Sequence, residues 1–107
     1  MLLMYLTVFA RDMNKLRIVF SPRASERLAQ IASYLSEQGL SNAFIVDYLN
    51  QFELWLNKVL IEFPDSGIPM PEFGADIRKV CYKKYSFVYR ITATQIEILT
   101  VYRENLP

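Results

Sequence analysis

Basic side chains dominate the last third of the chain, and they are the residues best suited to chemistry or to binding an acidic partner. Between residues 77 and 107 the acidic side chains are Glu97 and Glu104. The basic side chains of this segment are Arg78, Lys79, Lys83, Lys84, Arg90 and Arg103. Such groups neutralise phosphate and carboxylate and can stabilise the negative charge of a transition state. The segment therefore predicts a surface for an anionic or acidic partner.

The preceding part of the chain has the opposite charge. Residues 26–76 contain eight acidic side chains and only two basic ones, Arg27 and Lys58, although the net charge of the whole chain is +1. An asymmetry of this kind favours a binding function over a buried reaction centre.

The chain contains no histidine and a single cysteine, Cys81. Histidine is the side chain best suited to proton transfer near neutral pH, and it is the commonest metal ligand. An enzyme built on this sequence would have to use Arg, Lys, Tyr or a carboxylate, and we expect no metal and no cofactor. Because one cysteine cannot form a disulfide within the chain, Cys81 is interpreted as a small strand residue rather than a reactive thiol.

The length of 107 residues and the 52% hydrophobic content predict one globular domain. Residues 1–10 are almost wholly apolar, but a membrane span needs roughly 20 residues, and the positive start of a secretory signal is missing. Two interpretations stay open for residues 1–12: an additional strand, or residues translated upstream of a natural start at Met13. We favour the second and place the domain at residues 13–107.

Hydrophobic periodicity predicts a strand and then a helix in the first third of the domain. Residues 15–20 alternate between apolar and more polar side chains, which is typical of a strand. Ser21 and Pro22 are a favourable cap and first residue for a helix over about 22–38, and Gly39 ends it.

A second helix is predicted to begin after Ser41 and to end at Pro64. The connection to the first helix is very short, so the two should form an antiparallel hairpin. One apolar stripe runs along this helix and ends at Phe63, and its first five residues should be buried: Ile45, Leu49, Phe52, Leu56 and Val59.

Three runs with strand character follow, Ile77–Tyr82, Tyr85–Ile91 and Ile96–Arg103, with a hairpin turn at Lys83 and Lys84. They predict a three-stranded antiparallel meander. The whole chain is predicted to be an α+β domain whose helical hairpin packs on an antiparallel sheet of about four strands. The aromatic residues of the middle run are expected in the core rather than as platforms for bases; they are Tyr85, Phe87 and Tyr89.

The second helix has more apolar surface than one stripe requires. Phe44, Tyr48 and Trp55 lie on an adjoining face, which Leu54 and Leu60 widen. These residues could cover the sheet or the first helix, or they could form an interaction site, since large exposed apolar patches often bind partners.

The order and spacing of these pieces resemble the RelE/ParE superfamily of toxins from type II toxin–antitoxin systems. The matching pieces are IVFSPRASERLAQIASYL at 18–35, FPDSG at 63–67, IRKVCYKKYSFVYRI at 77–91 and IEILTVYR at 96–103. Their spacing looks more like ParE members, which poison DNA gyrase, than like RelE members, which cut messenger RNA on the ribosome.

The resemblance implies a cytoplasmic toxin that inhibits DNA gyrase and is neutralised by a cognate antitoxin. The alternatives are a RelE-like messenger RNA endonuclease acting with the ribosome, and an inert module that only binds an antitoxin. Many members place a histidine after the valine of the last strand, where this chain has Tyr102 and Arg103. This difference weakens the nuclease interpretation.

Residue roles follow from the same resemblance. Arg78, Arg90 and Arg103 are the leading candidates for contacts with the target, and the supporting candidates are Lys79, Lys83 and Lys84. All could instead be a solvated face of the sheet. The candidates for anchoring the antitoxin are Phe44, Tyr48 and Trp55. Arg103 is expected on the face opposite to Arg90 if the last strand carries no bulge.

Overall fold

The computed structural model describes residues 16–103, which form two helices on one face of a five-stranded sheet. The helices are α1 (Pro22–Glu37) and α2 (Asn42–Leu60). The strands are β1 (Arg17–Phe20), β2 (Ile68–Pro69), β3 (Ile77–Tyr82), β4 (Tyr85–Ile91) and β5 (Gln95–Arg103). The predicted α+β class, the two helices and the three C-terminal strands are therefore confirmed.

Serine side chains cap both helices, as the sequence predicts. The Ser21 hydroxyl oxygen accepts a hydrogen bond from the Ala24 amide at 3.0 Å, and the Ser41 hydroxyl oxygen accepts one from the Phe44 amide at 3.2 Å. The Ser21 hydroxyl also donates to the Leu99 carbonyl of β5 at 2.8 Å. One side chain thus satisfies an N-terminal amide of α1 and joins that helix to the sheet.

The sheet is mixed and has the strand order β1-β5-β4-β3-β2. The prediction of an antiparallel sheet of about four strands was therefore wrong in strand number and in the direction of one strand. β1 pairs with β5 in the parallel direction, because the helical hairpin returns the chain across one face before the meander begins. β2 adds a fifth strand at the far edge, antiparallel to β3. Two residues are too few to show the alternation by which a strand is recognised in a sequence.

Helix α2 ends at Leu60, four residues before Pro64, and Phe63 does not belong to the buried stripe. The backbone of Phe63 (φ −131°, ψ 71°) lies outside the helical region, which is disfavoured for a residue before proline, and Phe63 is 64% exposed. The rest of the predicted stripe faces the sheet: three of its residues are buried and Leu49 and Val59 are half-buried.

Phe52 lies at the centre of the core between α2 and the sheet. Its ring centroid is 5.4 Å from those of Tyr85 and Phe87 and 6.0 Å from that of Tyr82. Removing a side chain of this kind from water stabilises the fold by about 1.5–3 kcal/mol. Tyr85, Phe87 and Tyr89 are all buried in this core, as predicted. Neither helix within residues 16–103 is long and apolar enough to cross a membrane.

Candidate functional site

Arg78 supports the turn that follows α2. From β3, its Nη1 donates hydrogen bonds to the carbonyl of Gly67 at 2.8 Å and to that of Asp65 at 3.2 Å, and its Nε lies 4.0 Å from the Asp65 carboxylate. A guanidinium can satisfy several oxygens at once because its five N–H groups have a fixed geometry. The Arg78 head group is therefore occupied in holding this turn against the sheet.

Tyr89 holds the same turn from β4. Its hydroxyl donates to the Pro64 carbonyl at 2.6 Å and accepts from the Gly67 amide at 3.1 Å. Burial raises the pKa of Tyr89 above its usual value, while the Gly67 amide and the Arg78 charge lower it by less. The neutral phenol that results can donate and accept at the same time.

Arg90 forms an ion pair with Glu97 across β4 and β5. Arg90 Nη2 lies 2.6 Å from Glu97 Oε1, and the arginine side chain is 48% exposed. The two residues face each other in the strand register, on the side of the sheet away from the helices. The charge of Arg90 is thus accessible but partly balanced by its neighbour.

A bulge in β5 determines where Arg103 lies. Val88 faces Thr100 and Tyr89 faces Ile98, so Leu99 is an additional residue on β5. The bulge reverses the alternation, and Arg103 then faces Tyr85 on the helix-packed side. Arg103 lies on the face opposite to Arg90, as expected, but the condition attached to that expectation, a last strand without a bulge, was wrong. The bulge places the two arginines on opposite faces, whereas a regular strand would have placed both on one face.

The register also distributes the other predicted target contacts. Arg78 faces Tyr89 on the helix-packed side, whereas Lys79 faces Val88 on the other side, with Arg90. The six basic residues therefore do not form one basic sheet face. The structure brings three of them together at the β3–β4 hairpin end of the sheet: Lys83, Lys84 and Arg103.

These three residues border a cleft between the helical hairpin and the end of the sheet, which we call the hairpin cleft. It consists of two neighbouring cavities of about 410 Å³ and 490 Å³, and Tyr34, Tyr85 and Arg103 line both. Of the described lining residues, none is acidic. The other lining residues are Arg27, Gln30, Ile31, Leu35, Tyr48, Lys83, Lys84, Val101 and Tyr102.

The turn conformation directs Lys83 back toward α2. Lys83 has a left-handed backbone (φ 57°), which is unusual for a residue with a side chain. Its Nζ donates to Gln51 Oε1 at 2.6 Å and lies 4.5 Å from the centroid of the Tyr48 ring. A cation over a tyrosine face is attracted by the ring quadrupole. Lys83, a predicted target contact, therefore interacts directly with Tyr48, a predicted antitoxin anchor.

The three predicted antitoxin anchors differ in how well the protein already covers them. Trp55 stacks on Tyr82 at 4.7 Å and is half-buried, so it covers the end of the sheet. Tyr48 is also half-buried, whereas Phe44, which stacks on it at 5.9 Å, is 47% exposed. Part of this apolar surface therefore covers the sheet, and Phe44 is the most exposed of the three residues.

Sequence reasoning missed the contribution of α1 to the hairpin cleft. Arg27, Ile31 and Tyr34 all line it. Their spacing of four and three residues places them on one side of the helix, and this pattern could have indicated a second functional stripe. Gln30 accepts a hydrogen bond from Arg27 at 3.0 Å on the same surface.

Two tyrosines of the hairpin cleft have altered acidity. Burial is the main cause that raises the pKa of both Tyr48 and Tyr85, while the Arg103 charge lowers both by less. Both phenols therefore stay protonated near neutral pH and cannot act as bases there. Within residues 16–103 no group of carboxylate and cysteine side chains is arranged to hold a metal ion.

The fold is similar to solved toxin–antitoxin structures. A chain from the chromosomal ParDE system of P. aeruginosa aligns with a TM-score of 0.67 and 15% identity, covering 84% of this chain and 97% of that chain. A chain from the RelBE2 complex of Mycobacterium tuberculosis aligns with a TM-score of 0.56 and 18% identity, covering 84% and 99%. No curated protein sequence matches the chain significantly.

A family model identifies the sequence more specifically than the fold does. The model of the ParE toxin of the type II toxin–antitoxin system parDE matches residues 18–105, which include both helices, β2 to β5 and all of β1 except its first residue. The resemblance drawn from the sequence is thereby confirmed, and the chain belongs to the ParE toxin family of type II toxin–antitoxin systems.

Proposed function

We propose that this protein is a toxin that inhibits bacterial DNA gyrase and is neutralised by a cognate antitoxin. The observation that carries the proposal is the match of the ParE toxin model to residues 18–105. The hairpin cleft supports it, because inhibition of a large enzyme requires a docking surface and no bond-making side chain. In the cleft, charged side chains lie beside tyrosines, which are enriched in protein interfaces.

The leading contacts with gyrase are assigned to the hairpin cleft. Arg103, Lys83 and Lys84 lie together there. Arg90 and Lys79 are placed on the other side of the sheet as a secondary set. Arg78 contributes mainly by holding the turn at Gly67, so its role in binding is indirect.

The antitoxin is assigned to the exposed side of the helical hairpin. Phe44 and Leu54 are 47% and 70% exposed on α2, and the half-buried Tyr48 and Trp55 belong to the same helix. An amphipathic helix that inserts apolar side chains into such a surface is a common mode of recognition. Both solved neighbours come from systems of a toxin with an antitoxin, which supports the same type of partner.

The second candidate function is cleavage of messenger RNA on the ribosome. It is favoured by the likeness to the RelBE2 chain and by the tyrosines and basic side chains of the hairpin cleft, which could stack on bases and neutralise phosphates. The raised pKa values of Tyr48 and Tyr85 argue against it, since neither phenol supplies a base at neutral pH.

Two assays on the purified protein distinguish these functions. We expect inhibition of gyrase supercoiling with accumulation of the cleaved gyrase–DNA complex, and no cutting of ribosome-bound message. Cutting of the message with unaffected gyrase would replace the proposal with the nuclease function. If both assays are negative while an antitoxin still binds, and induction in a bacterial host is harmless, the chain is an inert antitoxin-binding module.

A further inference from the structure

Lys83 has a backbone conformation that a lysine adopts only at an energetic cost. It is the first of the two turn residues between β3 and β4, and its φ is 57°. In two-residue hairpin turns a position with positive φ is usually occupied by glycine, asparagine or aspartate, because a larger side chain crowds the backbone there. Such a conformation persists only where the surroundings fix it, and it is common at functional sites.

Three groups surround the Lys83 ammonium and restrain it. Gln51 Oε1 accepts a hydrogen bond from Nζ at 2.6 Å. The centroids of the Tyr48 and Tyr82 rings lie 4.5 Å and 5.6 Å from Nζ. Both distances are within the roughly 6 Å over which a cation is attracted to an aromatic face. One hydrogen bond and two aromatic rings therefore hold the ammonium between α2 and the end of β3.

Asp47 determines the orientation of the Gln51 amide. Gln51 Nε2 donates to Asp47 Oδ2 at 3.0 Å, one helical turn earlier on α2. A carboxylate can only accept, so it binds the NH₂ end of the amide and leaves the amide oxygen for Lys83. Neither Asp47 nor Gln51 is among the described residues that line the hairpin cleft, so both act on a ligand there through Lys83.

Lys83 and Tyr48 lie where two proposed binding surfaces meet. Both line the cavity of about 490 Å³ in the hairpin cleft, together with Arg103. Tyr48 also stacks on Phe44, which is 47% exposed and belongs to the surface assigned to the antitoxin. The position of one ammonium therefore affects both the charge of the cleft and the tyrosine that continues into the antitoxin surface.

We propose that Gln51 is a positioning residue for both partners, a role that rests on the toxin function proposed above. It holds the Lys83 ammonium against Tyr48, and the target and the antitoxin bind this lysine–tyrosine pair in mutually exclusive complexes. An antitoxin that packs on Phe44 and Tyr48 covers a pair that also lines the cleft. It then excludes the target at this point without having to fill the cleft.

NMR of the full chain tests the positioning. The face of an aromatic ring shifts nearby protons upfield, so the Lys83 methylene signals next to Nζ should lie upfield of those of Lys84, which takes part in none of the described cation–ring contacts. Gln51→Lys places a second cation beside Lys83 and should remove the upfield shift. Gln51→Glu keeps an acceptor and should preserve it. Asn57→Lys, which adds the same charge at an exposed position of α2, is the control. Upfield signals that persist in Gln51→Lys would overturn the positioning role.

Supercoiling assays and calorimetric titration with the cognate antitoxin test the effect on the two partners. Gln51→Lys should weaken gyrase inhibition and antitoxin affinity by about three- to tenfold each, as expected for the loss of a hydrogen bond and a cation–π contact. Gln51→Glu and Asn57→Lys should stay within about twofold of the unaltered protein, as is usual for exposed charges. A loss for one partner only, or for neither, contradicts the shared role. If the unaltered protein leaves gyrase unaffected, the proposed function fails, and the antitoxin titration alone decides whether Gln51 positions Lys83 for binding.

Lys83→Gly separates the binding role from stability. Glycine adopts a positive φ without the cost that lysine bears, so this variant should unfold at the same temperature as the unaltered protein or at a higher one. It lacks the ammonium, however, and should weaken gyrase inhibition and antitoxin affinity as Gln51→Lys does. Unchanged binding in Lys83→Gly would refute the proposal. A loss of binding that accompanies a lower unfolding temperature would also refute it, because the lysine would then only maintain the turn.

Discussion

The Tyr89 hydroxyl and the Gly67 amide form a hydrogen bond of 3.1 Å across 22 residues of sequence, and the glycine has no room for a side chain. A Cβ at Gly67 would lie 2.5 Å from the Tyr89 oxygen and 2.9 Å from the Lys79 carbonyl. The backbone of Gly67 is extended (φ −73°), so contact with the tyrosine, rather than backbone strain, requires glycine here.

Gly67→Ala should therefore lower the free energy of unfolding by about 1–3 kcal/mol, the range for an added methyl group that forces neighbours to move. Urea denaturation measures this change. Ser66→Ala, at an exposed residue in the same turn, is the control and should change it by less than about 0.5 kcal/mol. Equal stability of the two variants would show that the turn can move away from Tyr89 without cost.

Tyr89→Phe tests the hydrogen bonds without a steric conflict. The variant leaves the Gly67 amide and the Pro64 carbonyl without their partner, and we expect a loss of about 1–3 kcal/mol. Tyr102→Phe is the matched control, since that hydroxyl lies on the opposite face in a residue that is 37% exposed. Its stability should be close to that of the unaltered protein.

Alkaline pH should weaken the hydrogen bonds that Tyr89 makes to Gly67 and Pro64. Because burial raises the pKa of Tyr89 above 10.0, the folded state retains the phenolic proton at pH values at which the unfolded state loses it. The contribution of Tyr89 is complete below pH 10 and falls as the pH rises through the higher folded pKa. Unfolding measured between pH 9 and 11 should show a smaller decline for Tyr89→Phe. Parallel curves for the two proteins would contradict this coupling.

The sequence predicted local features well because single residues determine them. Ser21 and Ser41 cap the helices as expected, and the turn at Lys83 follows from the boundary between two alternating patterns. The direction of β1, the bulge at Leu99 and the face of Arg103 depend on pairing between distant strands. No local pattern encodes such pairing, and one extra residue moves every later side chain to the other face.

Alanine substitutions of Arg78 and Arg90 should distinguish a structural role from a binding role. Arg78→Ala removes the hydrogen bonds to Gly67 and Asp65 and should lower stability, whereas Arg90→Ala breaks an exposed ion pair worth about 0–1 kcal/mol. Thermal unfolding and gyrase inhibition are measured on both. If Arg90→Ala is as destabilising as Arg78→Ala, the assignment of Arg78 as the main support of the turn is wrong.

The double variant Tyr48→Ala and Trp55→Ala tests the antitoxin surface. If these residues anchor the antitoxin, affinity should fall by about 2–4 kcal/mol, as for central aromatic anchors in other interfaces. Trp55 also stacks on Tyr82, so unfolding must be measured in parallel. Phe44→Ala, at the more exposed end, is the companion variant with less effect on the fold. Unchanged affinity in both would place the antitoxin elsewhere.

Lys83 and Lys84 are neighbouring residues of one turn, but their contacts differ. Both line the hairpin cleft, but only Lys83 has a described contact with Tyr48 and a hydrogen bond to Gln51. We expect Lys84→Ala to weaken gyrase inhibition alone, and Lys83→Ala to weaken both inhibition and antitoxin affinity, because it also releases Tyr48. Supercoiling assays and calorimetric titration with the antitoxin measure the two effects. Identical behaviour of the two variants would mean that the target surface and the antitoxin surface do not meet at Tyr48.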